Sequence, residues 1–239
     1  MAASSSTGAR NPVPAVLWLK RLARVIALIL IMDALLFVPA GRLDWPGAWI
    51  LSILYSLFLL AMVAWSTLRA PELIEERSRT AANVKRWDKI LLTLYTIALL
   101  ALLVVAGLDA GRFRLSSMPP LLQAAGVIGI VLCGIWLLWV TRTNAFLSRH
   151  ARIQDDRGQQ VVTTGPYRFV RHPMYASLVL FIVCIALILG SWWALVPGAM
   201  IAVLFVIRTA LEDRMLQAEL PGYKEYAARV RYRLFPGIW

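Results

Sequence analysis

Apolar runs long enough to cross a hydrocarbon core of about 30 Å recur from about Leu22 to Pro39, Trp45 to Leu68, Ile90 to Leu108, Leu121 to Val140, Met174 to Gly190 and Trp192 to Ile207. Hydrocarbon offers backbone N–H and C=O groups no water, so each run must close its hydrogen bonds internally as a helix. Six such runs in 239 residues leave almost no room for a soluble domain. The composition agrees, with 60% hydrophobic residues, 16% charged residues and a mean hydropathy of +0.69. The predicted fold is all-α, a polytopic transmembrane helical bundle of about six spans that forms a single domain over residues 15–239. The last two runs hold roughly 17 residues each and are separated by Gly190-Ser191, which predicts a tight antiparallel hairpin in preference to a re-entrant pair.

Orientation follows from the 25 Lys and Arg, because basic residues in short loops stay on the cytoplasmic side. Arg10, Lys20, Arg21 and Arg24 precede the first run, and Arg69, Arg77, Arg79, Lys85, Arg86 and Lys89 fill the second connection. Arg142, Arg149, Arg152, Arg157, Arg168 and Arg171 fill the fourth, and Arg208, Arg214, Lys224, Arg229, Arg231 and Arg233 the C-terminal segment. Against these, Arg42, Arg112 and Arg114 lie in the alternate connections. Both termini are therefore predicted to be cytoplasmic, with an amphipathic C-terminal helix on that side. The net charge of +12 reads as a topology signal and an attraction to anionic membrane lipids, not to nucleic acid, since no nucleic-acid-binding module is recognisable. The Ala- and Arg-rich composition points to a prokaryotic inner membrane. Residues 1–14, Ser-rich with Pro12 and Pro14, read as a disordered tail, and Asp33 within the first run, before the poor cleavage site Val38-Pro39-Ala40, reads as part of an uncleaved anchor.

Several polar or small residues carry a structural reading. Asp33 is read as the acid deep in a span, satisfied by a helix–helix contact in preference to a substrate cavity. Pro71-Glu72-Leu73-Ile74-Glu75-Glu76-Arg77 opens with proline and acids, a favourable start for an interfacial helix. Ala125 with Gly129, and Gly126 with Ile130, mark a small face for close helix packing. Cys133 and Cys184 fall inside apolar runs with no metal-ligand spacing, so neither a disulfide nor a metal site is predicted.

The chemistry concentrates at Gly165-Pro166-Tyr167-Arg168-Phe169-Val170-Arg171-His172-Pro173-Met174-Tyr175, where rings and guanidinium groups crowd the mouth of the fifth run. Pro173 fits the first turn of a helix, whose free N–H groups favour an anion. His172 and Tyr175 then share that turn. After the sixth run comes Arg208-Thr209-Ala210-Leu211-Glu212-Asp213-Arg214, with Arg208 and Glu212 one helical turn apart. A hairpin brings the two groups together, and a ligand with both anionic and cationic parts fits between them. The bland alternatives are an interfacial aromatic belt for the first group and a solvated helix face for the second.

With Gly190-Ser191, Leu216, Gly222-Tyr223, Tyr226 and the closing Arg233-Leu234-Phe235-Pro236, these residues resemble the isoprenylcysteine carboxyl methyltransferase and phospholipid methyltransferase group of integral membrane enzymes. The resemblance is specific over about the last 80 residues and implies that residues 160–239 form the cofactor-binding region. It implies S-adenosylmethionine as cofactor, held by Tyr167, His172, Pro173, Tyr175, Glu212 and Asp213. Arg171, His172 and Arg208 would serve the reaction, the two arginines by orienting an anionic group. The implied acceptor is a lipophilic or prenylated molecule reaching the site from the bilayer, and O-methylation of an isoprenylcysteine-like carboxylate is favoured over a phospholipid amine or a small thiol. The family pattern carries two glutamates where this chain has Glu212-Asp213. Two rivals stand beside this reading. Membrane sterol and steroid reductases share an Arg-His-Pro-x-Tyr stretch but use NADPH, whose 2'-phosphate favours basic partners over an acidic pair. A non-catalytic lipid-binding protein would keep the fold without turnover.

Overall fold

The computed structural model describes residues 15–69 and 84–239. The expected tail at 1–14 and the expected interfacial helix at 71–77 lie outside the described residues. Seven α-helices are described: α1 Ala15–Ala40, α2 Pro46–Arg69, α3 Arg86–Ala106, α4 Pro120–Thr143, α5 Pro173–Leu189, α6 Leu195–Glu219 and α7 Tyr223–Arg229. Among the described residues there is no strand. Proline opens α2, α4 and α5, where its missing N–H removes a group that would have had no helical partner.

Among the described residues, five helical runs are long and apolar enough to cross a membrane: Trp18–Ala40, Pro46–Leu68, Arg86–Phe113, Pro120–Thr143 and Leu195–Glu219. The sixth, α5, has 17 residues, or about 25 Å at 1.5 Å per residue, the lower limit for a span. The bundle's outer face fits hydrocarbon. Leu30, Ile53, Ile97, Ile128 and Val203 are each more than half exposed, a cost in water that lipid removes.

The core lies where α1, α2, α3, α5 and α6 converge, around Leu36, Leu51, Leu102, Ile188, Leu189 and Ile201, all at most 2% exposed. Helix α5 is the most enclosed element. It rests on α4 at a close approach, because a Cβ added at Gly126 would meet Leu187 Cβ at 2.9 Å and Ile188 N at 3.0 Å, and one at Gly129 would reach Cys184 Sγ. The close-packing pair is thus Gly126 with Gly129; Ala125, expected on that face, is exposed. Both cysteines are free.

Gly190 ends α5 at φ +72°, the left-handed conformation that favours glycine at a helix C-terminus. The hairpin turn continues through Ser191, whose hydroxyl accepts from Ala194 N at 3.0 Å and donates to Asp109. Asp109 also accepts from Ser116 Oγ at 2.6 Å. It stands in a π-helical continuation of α3, Gly107–Phe113, that ends at Arg114 with φ 52°. This revises the reading of Asp33 as the single acid deep in a span: Asp109 is 3% exposed inside the same helical run as α3. Of the Asp33 carboxylate, Oδ1 is buried without a hydrogen-bond partner among the described residues.

Candidate functional site

Beyond the far end from that turn, the chain between α4 and α5 folds back over α6 and α7 and walls an open cavity of about 790 Å³, counting its mouth. Val140, Leu147, Tyr167, Leu216, Tyr223 and Tyr226 form an apolar floor beneath it. Tyr167, Arg171, His172, Pro173, Tyr175 and Glu212, all singled out from sequence, line this one cavity, along with a wall that starts as early as Asn144. The hairpin does bring the basic-aromatic and acidic groups together: Tyr175 donates its hydroxyl to Glu212 Oε2 at 2.6 Å, 37 positions away.

The acidic pair splits into two roles. Glu212 is half-buried on the cavity wall. Asp213, one residue on, turns inward and is fully buried. It accepts from Arg171 through Nε at 2.8 Å and Nη2 at 3.0 Å, a fork-to-fork pair. Arg233 Nε at 2.9 Å, Gln217 Nε2 at 2.8 Å and Tyr223 hydroxyl at 3.1 Å complete the ring of donors, with His172 Nε2 at 3.3 Å. A carboxylate this fully supplied has no lone pair left over for a ligand. Burial first, and the charge of Asp213 next, push the Tyr223 phenol well above its ordinary range, so it stays a donor to that carboxylate.

Arg171 is committed in the same way. Its Nη1 donates to Val230 O at 2.7 Å and Arg231 O at 2.9 Å. Its backbone N donates to Tyr232 O at 2.9 Å, and His172 N donates to Arg233 O at 2.9 Å. The C-terminal stretch is thereby strapped beneath the entrance of α5, and Arg233 lies 4.8 Å over the Trp239 ring.

His172 stacks on Tyr175, with ring centroids 5.8 Å apart and planes within 5°. Arg208 covers the Tyr175 ring at 5.2 Å, a contact favoured by the ring quadrupole. Arg208 itself is not on the cavity wall. Its Nη2 donates to Arg149 O at 2.9 Å and sits 2.9 Å from Asp88 Oδ1 as an ion contact without hydrogen-bond alignment, while its Nε is buried without a partner. Tyr167 receives a hydrogen bond from Asn144 Nδ2 at 2.8 Å, and its carbonyl accepts from Tyr226 at 2.8 Å. Burial pushes both phenols above their ordinary range.

Sequence reasoning missed Asp88 and His150. Asp88 is fully buried in the first turn of α3, and its Oδ2 meets His150 Nδ1 at 3.2 Å and Ala151 N at 3.1 Å. Asp88 and His150 are 62 positions apart in separate basic connections, so no local spacing announces them. The one available signal was an acid among Lys85, Arg86 and Lys89.

Residues 123–220 match the phospholipid methyltransferase family. The cobalt-zinc-cadmium resistance protein CzcN of Cupriavidus metallidurans is 32% identical over 134 residues, 53% of this chain and 56% of the relative. The chain thus spans about half the length of the curated relative it matches.

Proposed function

We propose that this chain, with a phospholipid methyltransferase segment over residues 123–220, is an S-adenosylmethionine-dependent membrane methyltransferase acting on a lipophilic acceptor delivered from the bilayer. The observation that carries this is Glu212, held toward the cavity by Tyr175 while Asp213 is absorbed by the scaffold. The cavity is open at its mouth and is lined by residues of both motifs. Its chemistry fits both ends of the donor molecule. The Glu212 carboxylate suits ribose hydroxyls or an ammonium group, and Tyr167, Leu147, Val161, Val162 and Met174 offer apolar and aromatic surface to a base. His172, Pro173 and Tyr175 close the side nearest the membrane helices. Arg171 and Asp213 act as the brace that fixes His172 and the C-terminal strap, and Arg208 fixes Tyr175.

S-adenosylmethionine supplies a methyl group on a cationic sulfonium, open to in-line displacement. The protein's part is alignment and exclusion of water, and correct alignment alone is worth effective molarities of about 10⁵ M or more. Acceptors differ in what else they ask. An isoprenylcysteine-like carboxylate, the acceptor favoured from sequence, arrives without a proton to lose, whereas an amine or thiol must shed one. A reductase would need a cation free for the 2'-phosphate of NADPH. The cavity's Arg171 is committed to Asp213 and to carbonyls, and Arg152 is bridged to Asp156 at 2.8 Å.

The test is incubation of the detergent-purified protein with methyl-labelled S-adenosylmethionine and a membrane lipid extract. Label should enter the lipid fraction with wild type and not with Glu212→Ala. Oxidation of NADPH by a chain that takes no methyl label would overturn the proposal; tight cofactor binding without turnover would mark a binding protein instead.

A further inference from the structure

We infer that Asp88 and His150 form a base pair for the transfer, with His150 taking a proton from the acceptor, so that the acceptor is a protic nucleophile such as an amine or thiol. This rests on the methyltransferase reading and deepens it. His150 lines the same cavity as Tyr175 and Glu212, and its side chain is a quarter exposed there. Its Nδ1 faces Asp88 Oδ2 at 3.2 Å. Asp88 is fully buried, with Oδ1 2.9 Å from the Arg208 guanidinium and Oδ2 accepting from Ala151 N at 3.1 Å, so it faces the ring as an acceptor. Nδ1 of His150 therefore carries the hydrogen, and Nε2 is left as a lone-pair acceptor for a group in the cavity. Ala151 N at 3.1 Å and Asp88 together fix the loop that presents the ring.

Through Arg208 the pair adjoins the Tyr175–Glu212 contact. The guanidinium that touches Asp88 also covers the Tyr175 ring at 5.2 Å, and Tyr175 holds Glu212. The charged and titratable groups that line the cavity with His150 are Arg152 from its own loop, Tyr167, Arg171, His172 and Tyr175 before and at the mouth of α5, Glu212 from α6, and Tyr223 and Tyr226 from α7, while Asp88 of α3 stands against the ring. Its direct partner among these is Asp88. A carboxylate acceptor would give such a pair nothing to do.

In the step itself, the acceptor's lone pair forms the bond to the methyl carbon as the carbon–sulfur bond breaks and its electrons return to sulfur. The sulfonium thereby becomes a neutral thioether. The acceptor's proton passes to His150 Nε2, and the imidazolium, paired with Asp88, releases it to water when product leaves.

The experiment uses the full chain in detergent with three probes: phosphatidylethanolamine, dodecanethiol and S-farnesyl-N-acetylcysteine. S-adenosylmethionine affinity is measured in parallel. Wild type should methylate the amine or the thiol, with an acid limb in its pH profile. His150→Ala should lose that rate by roughly 100-fold or more, the usual range for a general base, and lose the acid limb, while cofactor affinity stays within about twofold. Added imidazole should restore part of the rate. Asp88→Asn should also lower the protic rate with cofactor affinity within about twofold, because the ring loses the carboxylate that orients it. Cofactor binding with methylation of the farnesylcysteine carboxylate alone, or of none of the probes, overturns this inference and leaves the donor site standing. The same holds for a His150→Ala variant whose protic rate and pH profile are unchanged. Absence of cofactor binding in wild type overturns the methyltransferase reading itself.

Discussion

Glu212 and Asp213 are adjacent acids on one helix, yet a helical step of about 100° sends one to the cavity and the other into the protein. Their substitutions should therefore fail differently. Asp213→Ala strands two guanidinium groups and a buried phenol that now share its oxygens, and breaking a buried pair of this kind costs about 3–5 kcal/mol. Its thermal midpoint in detergent should fall steeply, with cofactor affinity lost along with the fold. Glu212→Ala removes a carboxylate whose protein partner is Tyr175, so the midpoint should hold while cofactor affinity drops by more than about 1–2 kcal/mol. Equal midpoints for the two variants would contradict this division. Lys85→Ala, which removes an exposed contact to Glu219 at 2.8 Å, should change neither quantity, as surface pairs contribute about 0–1 kcal/mol.

At the scale of elements, the contact between α4 and α5 sets where the site's entrance stands, because α5 begins at Pro173 and Trp136 Nε1 of α4 donates to Pro173 O at 3.0 Å. Gly126→Leu should lower stability by about 1–3 kcal/mol through overpacking, since even a Cβ there meets Leu187 at 2.9 Å. Ala125→Leu, one position away and exposed, should leave the thermal midpoint unchanged. The small-residue face was legible in the sequence, but its centre was misjudged: spacing alone gives two equivalent four-residue pairs, and the partner helix picks Gly126 with Gly129. The α5–α6 hairpin was legible because two apolar runs met at Gly190-Ser191. The third run was cut short at Leu108, because Asp109, Arg112 and Arg114 read as a loop. A π-helical turn instead carries Asp109 inward to two serine hydroxyls, a compensation that hydropathy does not register.

For the whole molecule, the candidate site's local residues were legible and its long-range ones were not. Tyr167, His172, Pro173, Tyr175 and Glu212 lie in two short motifs whose meeting needs only the hairpin. Asp88 and His150 meet only because the start of α3 and the loop after α4 are packed on α6, and the C-terminal strap that binds Arg171 leaves no periodic pattern in the sequence. The distribution of basic residues predicts that the cavity end is cytoplasmic. Lys224→Cys and Arg112→Cys, both at exposed positions at opposite ends of the bundle, test this in intact cells. A membrane-impermeant maleimide should label Arg112→Cys and spare Lys224→Cys until the membrane is opened; the reverse pattern would invert the topology.

In the proposed function, the cavity between the mouth of α5 and the exit of α6 binds a methyl donor through Glu212. Calorimetric titration of the purified protein with S-adenosylmethionine, and separately with NADPH, tests it most directly. Binding of S-adenosylmethionine by wild type, weakened at least tenfold in Glu212→Ala with no change in thermal midpoint, is the predicted result. Binding of NADPH alone, or S-adenosylmethionine binding indifferent to Glu212, would contradict it.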